Sequence, residues 1–113
     1  MLQVTSLPPV AQQLETNAYA FGREAQQRGM QEVPAQDANL WPLMKGLVVG
    51  QGLPLMQAWL KGYRDQQDEQ QIREFACQLK RETEVEQLLQ SGLKDAARKA
   101  LWWQLFDQLP DAH

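Results

Sequence analysis

The chain has 113 residues, of which 43% are hydrophobic and 22% charged, and a formal net charge of -3. That length suits one folded domain able to bury roughly 65% of the surface an extended chain exposes. Residues 1–67 carry five basic and five acidic side chains and residues 68–113 carry six and nine. Neither half therefore has the basic excess of an autonomous nucleic-acid binder, and DNA is not expected as a partner.

Thr5 and Ser6 can cap a helix that begins near the prolines at 8 and 9. Val10, Leu14, Ala18, Phe21 and Ala25 then recur at helical spacing, which predicts a first helix over about 8–28 ended by Gly29. Residues 30–39 read as a connection. Asn39 is expected to cap a short helix to about Val49, and Gly50, Gln51 and Gly52 make the clearest break in the chain. Pro54 opens the next helix, which holds Leu55, Met56, Trp59, Leu60 and Tyr63. PLMKG at 42–46 and PLMQA at 54–58 are similar, and both place leucine and methionine on a buried face behind an early proline.

The run RDQQDEQQ that follows has no proline or glycine, and a bend or break of the helix is expected near 64–70. Ile72, Phe75, Ala76, Leu79, Val85, Leu88 and Leu89 form an interrupted stripe, with Glu82 and Glu86 where a zipper seam would be apolar. Glu69–Arg73 and Lys80–Glu84 are expected as pairs on an exposed face. Ser91 and Gly92 separate this stretch from a last helix over about 94–109, with Ala97, Ala100, Leu101, Leu105 and Leu109 toward the core. The expected fold is all-α, a compact orthogonal or irregular bundle of four to five helices in a single domain with flexible extreme termini.

Chemistry is sparse. His113, at the end of the sequence, has no partner cluster for zinc and no nucleophile beside it. Cys77, the single cysteine, sits among Phe75, Ala76 and Leu79 and is expected to pack there; without an intrachain disulfide partner it points to a reducing, cytoplasmic setting. Glu82 and Glu86 share a helical face in KRETEVEQ and read as solvated. The glycines at 46, 50 and 52 lack the GK[ST] ending of a phosphate loop. No catalytic residue, metal site or cofactor is expected. The N-terminal residues lack the basic and apolar segments of a signal peptide, and the apolar stretch 40–60 is broken by Pro42, Lys45, Gly46, Gly50, Gly52 and Pro54, so a membrane span is not expected either.

The aromatic residues carry more information. The chain has four tryptophans. Trp59 and Tyr63 lie on one helical face, suited to a core or to a partner. Trp102 and Trp103 point about 100° apart on a helix, so one is expected to pack inward while the other is left to a partner. Trp59, Tyr63, Trp102, Trp103 and Phe106 are the candidate protein-binding residues.

Two segments resemble the bacterial ribosome modulation factor family. In AYAFGREAQQRG, Ala18, Gly22, Ala25 and Gly29 match its small-residue pattern, with Pro34 beyond. In WLKGYRD, Trp59, Leu60, Gly62, Tyr63, Arg64 and Asp65 match its second run. The resemblance implies a helical, non-catalytic ribosome-associated protein, with Arg23, Arg28, Lys61 and Arg64 as candidate RNA contacts. The residues themselves favour an adaptor or regulator that binds a protein partner or a second copy of itself, with ribosome or RNA association as the alternative.

Overall fold

The computed structural model describes residues 9–45, 47, 50 and 52–110, with side chains described from residue 12 onward. The fold is all-α: α1 (Pro9–Gln27), a 3-10 turn (Pro34–Gln36), α2 (Trp41–Met44), α3 (Leu53–Leu79), α4 (Glu82–Gln90) and α5 (Asp95–Gln108). The chain divides into two compact units after Gln66. The expected caps Thr5 and Ser6, the side chain of Val10, Gly46, Val48, Val49, Gln51 and His113 lie outside the described residues.

The first unit is built on a close contact of α1 with the opening half of α3. Ala18 and Ala25 are buried on α1, and Leu55, Trp59 and Tyr63 on α3, with Leu40 completing the cluster. Between the alanines sits Gly22, where an added Cβ would fall 1.9 Å from the Trp59 carbonyl oxygen. On the facing helix Gly62 is its counterpart, since a Cβ there would fall 2.0 Å from the Tyr19 carbonyl oxygen. The absence of side chains at both positions lets the backbones touch. Gly29, at φ +77, then ends α1. The Met30 N–H donates to the Ala25 carbonyl and the Gly29 N–H to that of Gln26, each at 3.0 Å, so orphan carbonyls of the last turn are satisfied.

The second helix is shorter than the sequence predicts, with four residues, and its N-cap is Leu40 rather than Asn39. Asp37 has taken the local backbone hydrogen bond, because its Oδ1 accepts from the Asn39 N–H at 2.9 Å.

No break occurs at 64–70. α3 is helical for 27 residues from Leu53 to Leu79. The polar run contains good helix formers and no breaker, so nothing local interrupts the ladder. The interruption comes at Lys80, which adopts φ 57 and leaves the Arg81 N–H to donate to the Ala76 carbonyl at 2.8 Å. This is the same glycine-type ending as at Gly29, built with a lysine that pays a left-handed penalty. Lys80→Gly is therefore expected to stabilise the fold by about 0.5–1 kcal/mol, read as a higher urea midpoint at unchanged slope.

In the second unit Ile72, Ala76, Val85, Leu101 and Leu105 form the buried cluster. Several sequence expectations are corrected here. Ala97 and Ala100 are exposed, and Arg98 occupies the buried position one step away, paired with Asp95 at 3.0 Å. Cys77 is exposed, because it lies one helical step beyond Ala76, which takes the core position. Glu84 pairs at 2.7 Å with Arg81, the N-cap residue of its own helix, instead of with Lys80. The Glu69–Arg73 pair is present at 3.9 Å. Ser91 and Gly92 do separate α4 from α5, with Gly92 at φ 81.

Candidate functional site: an aromatic face on the second unit

Four rings meet where the last turns of α3 approach α5. Trp102 stacks on Phe106 with centroids 5.1 Å apart and planes 14° from parallel. Phe75 meets Trp102 edge-on at 5.2 Å, and Trp103 meets Trp102 edge-on at 4.9 Å. Trp103 also stands at 88° to Phe106, 5.8 Å away. These are the offset and edge-to-face arrangements that aromatic quadrupoles favour, so each ring fixes its neighbour's orientation.

The cluster is layered. Trp102 is half-buried, and its indole N–H donates to the Gln71 Oε1 at 2.8 Å. Trp103 lies on the outside with 58% of its surface exposed. The two residues divide inward and outward as their 100° offset predicts. Beside them is an open notch of about 200 Å³ lined by Asp68, Gln71, Lys99, Trp102 and Trp103. Phe75 and Gln71 belong to this face, although sequence reasoning treated Phe75 only as part of an apolar stripe. The spacing of Gln71 and Phe75 on one helix was visible, but nothing local linked them to α5.

The other two candidate anchors are not available to a partner. Trp59 is 0% exposed, and its indole N–H donates to the Asp37 Oδ2 at 2.6 Å. Tyr63 is buried, stacks on Trp59 with centroids 5.4 Å apart, and donates its hydroxyl hydrogen to the Met30 carbonyl at 2.6 Å. Both serve the first unit's core. A tryptophan not singled out in the sequence, Trp41, is 56% exposed there and borders an apolar groove of about 560 Å³ with Met44, Leu47, Leu53 and Met56. The leucine–methionine pairs of the two PLM segments thus reach both the core and this groove.

The candidate RNA contacts sit in ion pairs or hydrogen-bond networks. Arg28 pairs with Glu24 at 3.2 Å, Lys61 with Asp65 at 3.0 Å, and Arg64 with Glu32. Arg23 donates to the Tyr19 hydroxyl at 3.2 Å and lies over its ring, and that hydroxyl donates to the Asp65 Oδ2 at 2.6 Å. Burial, and next the bond to Asp65, push the Tyr19 phenol above its ordinary value of 10.0. The two segments that carry the family resemblance therefore pack directly on one another, through Gly22 and Gly62.

The carboxylates near the second unit's helices are dispersed. Glu74 and Glu82 are exposed, and Asp68 lies 4.0 Å from the Arg98 Nε. Glu86 accepts two hydrogen bonds from the Arg73 guanidinium, at 2.9 and 3.2 Å. Those bonds are the main reason its carboxyl is held below the ordinary carboxylate range, with burial opposing. Glu84 is lowered likewise by its hydrogen bonds from Arg81. Among the described residues no group of three or more His, Cys, Asp or Glu side chains is arranged to hold a metal ion, and no helix is long and apolar enough to cross a membrane. Compared with protein-family models, curated proteins and solved structures, the chain matches none.

Proposed function

We propose that this protein is a small non-catalytic adaptor or regulator that binds a protein partner through the aromatic face of Phe75, Trp102, Trp103 and Phe106. The observation that carries the reading is the exposure of Trp103 within a ring cluster that already fixes its orientation. Covering the open part of such a ring is worth roughly 3 kcal/mol. Because its rotamer is held by Trp102 and Phe106, little side-chain entropy is lost on docking. A preorganised tryptophan bordered by polar side chains is the usual anatomy of an interface hot spot.

The test is site-specific crosslinking. A photoreactive residue replacing Ala96, which is exposed and lies two turns before Trp103 on α5, is expected to capture a stoichiometric protein in cells. The adduct should survive ribonuclease and disappear with Trp103→Ala, a change that removes two edge-on ring contacts at an outer position and is expected to cost about 1–2 kcal/mol, with circular dichroism confirming that the variant stays folded. Absence of any Trp103-dependent protein adduct would overturn the reading.

A second reading, ribosome or RNA association, is favoured by one observation: the two segments that resemble the ribosome modulation factor family adjoin across the helix contact, with Arg23 and Lys61 in a single polar network. Phosphates would compete with Glu24, Asp65 and Glu32 for cations that are largely exposed, at little cost; the reading is the less favoured because the chain carries a net charge of -3 with no basic excess. Replacing Arg23, Arg28 and Arg64 with glutamine should abolish ribosome co-sedimentation on this reading and leave the crosslink at position 96 intact on the first.

A further inference from the structure

We infer that the protein partner meets this face with an acidic segment, seating an aspartate or glutamate side chain in the notch beside Trp103 and laying an adjacent large apolar residue on the open ring. The inference rests on the reading of this face as a protein-docking surface and names the chemistry of its partner. The notch, about 200 Å³, is smaller than the roughly 300 Å³ at which pockets for small molecules begin, so it suits a single side chain.

The polar groups of the lining decide which one. An indole N–H can only donate, so the Gln71 atom that meets Trp102 at 2.8 Å is the amide oxygen, and the amide nitrogen with its two N–H groups is turned away from that ring. Those N–H groups have no acceptor among the described residues. Lys99, four residues before Trp103 on α5, is exposed and takes part in no ion pair among the described residues. Asp68, the acid of the same lining, is already engaged, because its Oδ2 lies 4.0 Å from the Nε of buried Arg98. The uncommitted groups are thus an amide and an ammonium, both donors, beside an exposed ring.

A carboxylate complements both of them through charge-assisted hydrogen bonds. A basic side chain would meet the like charge of Lys99, with only an acid already held by Arg98 to accept its hydrogens. A nucleic-acid phosphate could also accept from the two donors, but residues 68–113 carry nine acidic side chains against six basic ones. That balance repels a polyanion and tolerates one carboxylate.

The test is selection of short random peptides displayed on phage against the purified full chain, with Trp103→Ala as the counter-selection. Peptides that need Trp103 are expected to carry aspartate or glutamate next to leucine, phenylalanine or tryptophan. Lys99→Glu should weaken the best of them, made synthetically, about tenfold or more. Gln71→Glu is the sharper variant. Its carboxylate still accepts the Trp102 N–H, so the near-ultraviolet circular dichroism of the rings should stay as in the parent, while the lost donors and added charge should again weaken the peptide about tenfold or more.

Basic or uncharged Trp103-dependent peptides would overturn the inference, and so would an acidic one indifferent to Lys99→Glu and Gln71→Glu. If no peptide needs Trp103, the partner segment joined to position 96 in cells, sequenced by mass spectrometry, decides. An acidic segment whose capture falls with Gln71→Glu supports the inference; a basic or neutral one excludes it while the docking surface stands. Without any Trp103-dependent adduct, both readings fall.

Discussion

Gly22→Ala and Gly62→Ala are each expected to cost at least about 2 kcal/mol, by overpacking that outweighs propensity. Alanine in a helix interior gains about 1 kcal/mol over glycine. Against that gain, the new methyl would stand 1.9 or 2.0 Å from a backbone carbonyl oxygen of the facing helix. A carbonyl in a helix cannot rotate away as a side chain can, so the two helices must separate and every residue between them loses contact. Overpacking with such a rigid neighbour costs about 3 kcal/mol or more. Gly29→Ala is the control: nothing lies within 4 Å of its Cβ position, and only the left-handed φ is penalised, at about 1 kcal/mol. Urea denaturation of the three variants will rank them, and equal losses at 22, 29 and 62 would contradict the close-contact account.

Trp59→Phe is expected to cost about 3 kcal/mol, most of it through the side chain it leaves behind. Asp37 is buried, and its carboxylate is held by the Trp59 indole and the Asn39 N–H. Phenylalanine preserves part of the apolar volume and removes the donor, so a buried carboxylate oxygen is left with no replacement for it. Asp37→Ala strands the indole N–H in the same way. Because each single change orphans the other's partner, the double variant should cost less than the two summed, by about 1.5 kcal/mol or more. Additive losses in this cycle would show that the bond contributes little.

Features that depend on local periodicity were legible in the sequence. Leu14, Ala18, Phe21 and Ala25 marked α1, Gly29 marked its end, and Ser91–Gly92 marked the gap before α5. The inward and outward division of Trp102 and Trp103 followed from helix geometry alone. What was not legible depended on distant partners or on unfavoured conformations. Trp59 is closed off because Asp37, 22 residues earlier, accepts its N–H. The ending of α3 uses a lysine in a glycine conformation, which composition does not announce, while the conspicuous RDQQDEQQ run simply stays helical. Phe75 joined the aromatic face only once α3 and α5 were paired, and Arg98 took a core position that an alanine count had assigned elsewhere.

The most direct measurement is the fluorine NMR spectrum of the chain labelled with 5-fluorotryptophan, recorded in living cells and again on the purified, dilute protein. Each of the four resonances can be assigned by its loss on a single Trp-to-Phe substitution. The Trp103 line is expected to shift or broaden in cells while the line of enclosed Trp59 stays in place. A Trp103 line unmoved in cells while that of Trp41 responds would place the contact surface on the first unit and contradict the account.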